Sequence, residues 1–109
     1  MRKLKTEKDA NRRLHIELGR YFRKHREKNR VTQGEIAELV GLTSSQYISN
    51  FERGLCSMSI PIMKVMIRRY GIELDEFFLY YTNLKMGYYK KLFLGREAKR
   101  TGLRIVKAA

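Results

Sequence analysis

Between Val31 and Gly54 the chain starts a helix, stops it and starts another, in a span too short for either to bury itself alone. Thr32-Gln33-Gly34-Glu35 is a capping box. The Thr32 hydroxyl is placed to accept from the Glu35 backbone N–H, and the Glu35 side chain to reach back to the Thr32 N–H. Val31 before the cap and Ile36 at the fourth helical position make the matching hydrophobic staple. The helix that starts at Gln33 has an apolar face of Ile36, Ala37 and Val40, and Gly41 stops it. Leu42-Thr43-Ser44-Ser45-Gln46 restarts it with three hydroxyl side chains, the type that satisfies free N–H groups at a helix start. Ile48 and Phe51 then face inward and Gly54 ends the element.

Two such helices joined by a tight turn at Gly41 and Leu42 have the form of a helix-turn-helix. They need neighbours, and apolar spacing elsewhere supplies them at intervals of three and four. Leu14, Leu18, Phe22 and His25 predict a helix from Leu14 to Lys28, ending near Asn29, which tolerates a left-handed cap. Ser59-Ile60-Pro61 opens another, with a capping hydroxyl and a proline in the first turn. Its stripe is Ile60, Met63, Met66, Ile67 and Tyr70, closed by Gly71. Leu74, Phe77, Phe78, Tyr81, Leu84, Tyr88 and Leu92 follow at helical spacing, with Gly87 a weak point and Gly95 the expected cap. No segment alternates at period two for long, and the chain has only eight glycines and one proline. The expectation is an all-α, five-helix bundle over residues 14–78, with a basic N-terminal arm at 1–13 and an aromatic, basic C-terminal extension at 79–109.

Charge is unevenly placed. The 109 residues carry 24 Lys plus Arg and 11 Asp plus Glu, a formal net charge of +13. Residues 1–13 and 14–30 each hold six basic and two acidic side chains, while residues 31–57 net −2 and 58–78 net zero. Residues 79–109 hold eight basic groups and one acidic, so a near-neutral middle lies between two basic flanks. Basic ends either serve solubility or grip a polyanion while the middle positions or reads it, and two flanks of one sign favour the grip. No apolar run approaches the ~20 residues of a membrane span, and Met1-Arg2-Lys3-Leu4-Lys5 leads into no apolar stretch of the secretory kind. The single cysteine, Cys56, excludes an internal disulfide and a cysteine metal cage. His15 and His25 lack a carboxylate cluster, Cys56 lacks a histidine at useful spacing, and no phosphate-cradling glycine loop occurs. Neither an enzyme nor a cofactor is expected.

Thr32-Gln33, Ile36-Ala37, Val40-Gly41, Ile48-Ser49 and Glu52-Arg53-Gly54 together resemble the Cro and phage-repressor, or Xre-type, helix-turn-helix family. Ser59-Ile60, Tyr70-Gly71-Ile72 and Leu74-Asp75-Glu76 resemble its fourth and fifth helices. The resemblance covers residues 14–78. It implies a five-helix, sequence-specific double-stranded DNA-binding regulator of transcription, a homodimeric repressor in the usual case. It also implies a cytoplasmic location, nucleoid-associated in a bacterium or phage-encoded. Two departures stand out. Arg30 occupies a position where the family usually has glycine, with Asn29 as the substitute for the left-handed turn. The stretch from Gly41 to Gly54 is one residue longer than the family's usual spacing.

That extra residue leaves two registers. Aligned back from Gly54, Ser44 is the cap, and Ser45, Gln46 and Asn50 are base-contacting residues. Aligned by capping chemistry, Thr43 is the cap and Gln46 closes a capping box, which takes it off the bases. The first is preferred because Ile48 to Gly54 matches strongly and a turn accepts an insertion cheaply. Gln and Asn can pair with adenine N6 and N7, while serine specifies weakly. Gln33, Ser44 and Arg53 are phosphate candidates, and Tyr47 either meets a phosphate or packs. Arg26 and Glu52 match a structural ion pair of the family, against the alternative of a surface pair worth ~0–1 kcal/mol. The aromatic stripe beyond residue 77, with Tyr81, Leu84, Tyr88 and Leu92, is either a dimer face or the completion of the chain's own core. The rivals to a DNA-binding repressor are an antitoxin-like protein whose C-terminal segment holds a protein partner, and an adaptor using the same fold on protein or RNA.

Overall fold

The computed structural model describes residues 2–94, which form α1 (Arg2–Lys28), α2 (Gln33–Leu39), α3 (Gln46–Glu52), α4 (Ile60–Arg69) and α5 (Leu74–Leu94). No strand occurs among the described residues. Gly95 and the basic tail at 96–109 lie outside them.

α1 is longer than its apolar stripe predicts. It begins at Arg2 rather than Leu14, so the expected arm is helix. Residues 2–13 contain no Gly or Pro and are rich in Lys, Arg, Leu, Glu and Ala, all good helix formers. Ala10 is buried with Leu14, Leu18 and Phe22, and so adds one turn to the packed face. An alanine is a faint apolar signal, and the sequence pattern passes over it.

The end of α1 is a Schellman motif. The Arg30 N–H donates to the Glu27 carbonyl at 3.0 Å and the Val31 N–H to the Arg26 carbonyl at 3.1 Å. The left-handed residue is Arg30 itself, at φ 56°, rather than the expected Asn29. Asn29 instead turns its Nδ2 back onto the His25 carbonyl at 2.8 Å. At the start of α2 the Thr32 hydroxyl accepts from the Glu35 N–H at 3.0 Å. The Glu35 carboxylate leans toward Arg69 of α4, 3.9 Å away.

The core centres on Phe22, Ile36, Ile48, Phe51, Met66 and Tyr70, each fully buried. Phe22 meets Phe51 at 5.4 Å and Phe77 at 5.6 Å between ring centroids, which joins α1, α3 and α5. Tyr21 and Tyr80 stack at 3.9 Å, and the Tyr80 hydroxyl donates to the Glu17 carbonyl at 3.0 Å. That burial pushes the Tyr80 phenol up to about 12. His25 lies against Tyr21, and burial lowers its imidazole below the usual range. α5 runs through Gly87 without a break. Ile60, expected on the buried stripe of α4, is exposed; Met58, just before the helix, is buried at that end.

Backbone contact sets how α3 lies on α1. A Cβ on Gly19 of α1 would run into the Phe51 carbonyl and come within 2.8 Å of the Glu52 carbonyl oxygen. One on Gly54, at φ 76°, would come within 2.7 Å of Ile16 Cα. Two glycines, one on each side, therefore let the helices touch main chain to main chain.

Arg30 carries a left-handed backbone conformation that costs a non-glycine residue ~1–2 kcal/mol. Arg30→Gly removes that cost against a smaller loss from the more flexible unfolded chain. We expect a gain of about 1 kcal/mol, a rise of roughly 4–8 °C in Tm for a domain of this size. Thermal melting by circular dichroism checks it; an unchanged Tm means the turn is unstrained.

Candidate nucleic-acid interface

The helix-turn-helix is tied together by a buried ion pair. Arg26, on the last turn of α1, donates from Nε to Glu52 Oε2 at 2.7 Å and from Nη2 to Glu52 Oε1 at 3.0 Å. Its Nη1 donates to the Val31 carbonyl at 2.8 Å. Gln33, the first residue of α2, donates from Nε2 to Glu52 Oε1 at 2.8 Å. The end of α1, the start of α2 and the end of α3 thus converge on one carboxylate, whose side chain is 1% exposed. The hydrogen bond to Glu52 raises the Arg26 pKa further, against the opposing effect of burial. The Tyr70 hydroxyl is buried with no hydrogen-bond partner, and burial, then the Glu52 charge, raises its pKa. The pair is therefore no surface pair, and its energetics follow the buried case.

On the outward side of α3, three polar side chains form a line. The α3 start is held by the Ser44 hydroxyl, which accepts from the Gln46 backbone N–H at 3.3 Å. Ser45 is the residue just before the helix and makes no side-chain capping bond. The Gln46 side chain runs along the helix and donates from Nε2 to Asn50 Oδ1 at 2.8 Å. Arg53 reaches back and donates from Nη2 to the same oxygen at 2.8 Å. Gln46 and Arg53 are exposed and Asn50 is half-buried. Tyr47 points away from this line and donates to the Ser57 carbonyl at 3.2 Å. Gln33 is half-buried, and one of its two amide N–H donors is committed to Glu52.

The C-terminal stripe divides. Tyr81, Leu84, Tyr88 and Leu92 are half-buried, and Tyr81 and Leu84 pack on the core. Leu84 and Tyr88 line a shallow groove with Ala10 and Leu14 of α1. Of the four expected as a dimer face, Tyr81, Leu84 and Tyr88 thus meet the core or α1 of their own chain, and Leu92 is half-buried. The large apolar side chains that point outward are Phe78, Leu79, Met86, Tyr89 and Phe93.

Asp9, Arg12, Arg13, Ile16, Glu17 and Arg20 line an open groove on α1, in which Arg20 lies 3.7 Å from Glu17, and Ile16 is the residue pressed against Gly54 just past α3. The basic tail with Arg96, Lys99 and Arg100 lies outside the described residues. Among the described residues no His, Cys, Asp and Glu group could hold a metal ion, and no helix is long and apolar enough to cross a membrane.

The buried pair makes a testable distinction. Arg26→Met leaves the Glu52 carboxylate buried with Gln33 as its one remaining partner among the bonds described, and should cost ~3–5 kcal/mol. Adding Glu52→Leu removes the stranded charge and should recover most of that loss. Urea denaturation of the single and double variants reads the difference. A double variant no more stable than the Arg26→Met single would show that a stranded charge is not the source of the loss.

Comparison with known proteins agrees with this geometry. No curated protein and no solved structure matches the chain. A family description of the helix-turn-helix domain matches residues 17–77, from the middle of α1 to the first turn of α5. That span holds Leu18 and Phe22 of the α1 packing face, the Arg26–Glu52–Gln33 junction and the whole of α2, α3 and α4. It covers more than half of the sequence, and its membership supports DNA binding: the chain belongs to the helix-turn-helix domain family, of the kind that the Cro and phage-repressor resemblance describes.

Proposed function

We infer that this chain is a sequence-specific, double-stranded DNA-binding regulator of transcription that acts as a dimeric repressor. The observation that carries the reading is the exposed line Gln46, Asn50 and Arg53 on a short helix whose opposite face is locked into the core. A helix held that rigidly, with amide side chains outward, suits the major groove, where edge patterns distinguish all four base pairs. Ser45 stands at the same end of the helix. Ser44, Gln33 and Arg53 are the phosphate-side residues of this reading, and Tyr47, bonded to Ser57, serves it by packing. A repressor works here by occupying its site against polymerase.

Dimerisation is supported by the outward apolar side chains of α5, Phe78, Leu79, Met86, Tyr89 and Phe93. A two-fold dimer places two recognition helices ~34–36 Å apart on one face of the duplex. Selection of bound sites from random DNA tests the whole reading. The expected outcome is a pair of inverted half-sites, with Gln46→Ala costing ~1–3 kcal/mol on the selected site and little on random DNA. Equal loss on both would remove Gln46 from base reading. Preference for RNA over duplex at matched salt would favour the adaptor.

The electrostatic grip comes from the flanks, because residues 31–78 carry a net −2. On α1, Arg12 and Arg13 line the groove with Asp9, Glu17 and Ile16, the last of which meets Gly54 just past α3. Since α1 packs on α5 through Ala10, deleting residues 1–13 would disturb the fold, and charge removal is the cleaner test. Arg12→Gln with Arg13→Gln should flatten the slope of log K against log salt by ~0.9 for each DNA phosphate that the variant no longer neutralises. Affinity should fall alike for all sequences, and site preference should survive. An unchanged slope would mean that these charges serve solubility.

A further inference from the structure

The bonds around Asn50 decide what it can read. This argument rests on α3 being the base-reading helix. Arg53 Nη2 donates to Asn50 Oδ1 at 2.8 Å. A guanidinium has donors and no acceptor, so this bond fixes the Asn50 amide with its carbonyl toward Arg53. Gln46 meets the same oxygen from the preceding turn, Nε2 to Oδ1 at 2.8 Å, so its own amide is oriented as well. An amide oxygen has two lone pairs, and both of these are taken. What Asn50 has left for a partner is its NH2 group.

An asparagine that pairs with adenine must accept from N6 while it donates to N7. Asn50 could accept only by giving up a bond from Gln46 or the charge-assisted one from Arg53, the stronger class of hydrogen bond. We propose that Arg53 and Gln46 make Asn50 a donor-only reader, selective for guanine, whose N7 and O6 both accept in the major groove, over adenine, whose N6 amino group then meets no acceptor, and over cytosine, whose edge there only donates. Arg53 acts here as a positioning residue: it sets specificity at a base through the orientation of another side chain. Gln46 keeps its own carbonyl and one N–H, so the two amides on one helix face are not equivalent readers.

The test compares site preferences of the full chain and its variants. Asn50→Ala locates the base position, since preference disappears there and is retained elsewhere. At that position the unaltered chain should bind guanine at least about fivefold better than adenine or cytosine. Arg53→Met frees one lone pair of Oδ1 while Gln46 keeps the other. It should lower overall affinity and, at this position alone, cut the guanine-over-adenine ratio by about fivefold. Asn50→Asp turns the reader into an acceptor and should move the preference to cytosine, whose N4 amino group donates. Both changes are outside the core, and circular dichroism verifies folding. Adenine preferred by the unaltered chain at that position overturns the proposal and leaves base reading by α3 standing. So does a ratio untouched by Arg53→Met, or an Asn50→Ala variant with every preference intact. A chain with no preference at any position overturns base reading by α3, and the proposal with it.

Discussion

The carboxylate of Glu52 is the point on which the architecture turns. It is nearly inaccessible to water, accepts three hydrogen bonds, and takes them from two helices that are not its own. An ion pair so placed contributes less net stability than its geometry suggests, because both charges were well solvated before folding. Its effect is on arrangement. α2 is only seven residues long and α3 likewise, each too short to persist alone. Apolar packing through Ile36, Ile48 and Phe51 holds them to the core, but apolar contact is non-directional. The fork of Arg26, seated at the end of α1, supplies the direction: few positions of Glu52 satisfy two N–H donors at once.

The fold was largely legible in the sequence because its punctuation is chemical. Thr32 and Gly41 mark the bounds of α2, Gly54 marks the end of α3, and Ser59-Ile60-Pro61 the start of α4. What was not legible depended on features that carry no pattern. Ala10 extends α1 by packing, though an alanine weighs little in any apolar periodicity. Gly19 has no side chain to enter an apolar stripe, yet it is where two backbones touch. Arg30 sits in a conformation that the sequence assigns to its neighbour Asn29, and the Schellman bonds from Arg30 and Val31 decide it. The outward or inward direction of the α5 aromatics could not be known without knowing how far α1 extends to meet them.

For the candidate site, residue types were legible and their relations were not. The spacing of Gln46, Asn50 and Arg53 puts them on one side of a helix. It does not say that one oxygen collects two of their donors. Nor does it say that Tyr47 is turned to Ser57, or that Gln33 shares its amide with a buried acid. In each case a polar side chain that looks free in the sequence already has a partner inside the protein. The partner determines what remains for anything outside.

The contact of Gly19 with the backbone of Phe51 and Glu52 bears on how such a protein changes its target over generations. The depth and tilt of α3 are set by main-chain atoms and by side chains on its hidden side. The outward side chains contribute almost nothing to that pose. On the proposed reading, residues 46, 50 and 53 can therefore be exchanged as a set while the helix meets the DNA in the same attitude. Inheritance can then alter the vocabulary of the reading head without altering its grammar, so that new specificities arise by substitution on a surface that folding leaves unconstrained.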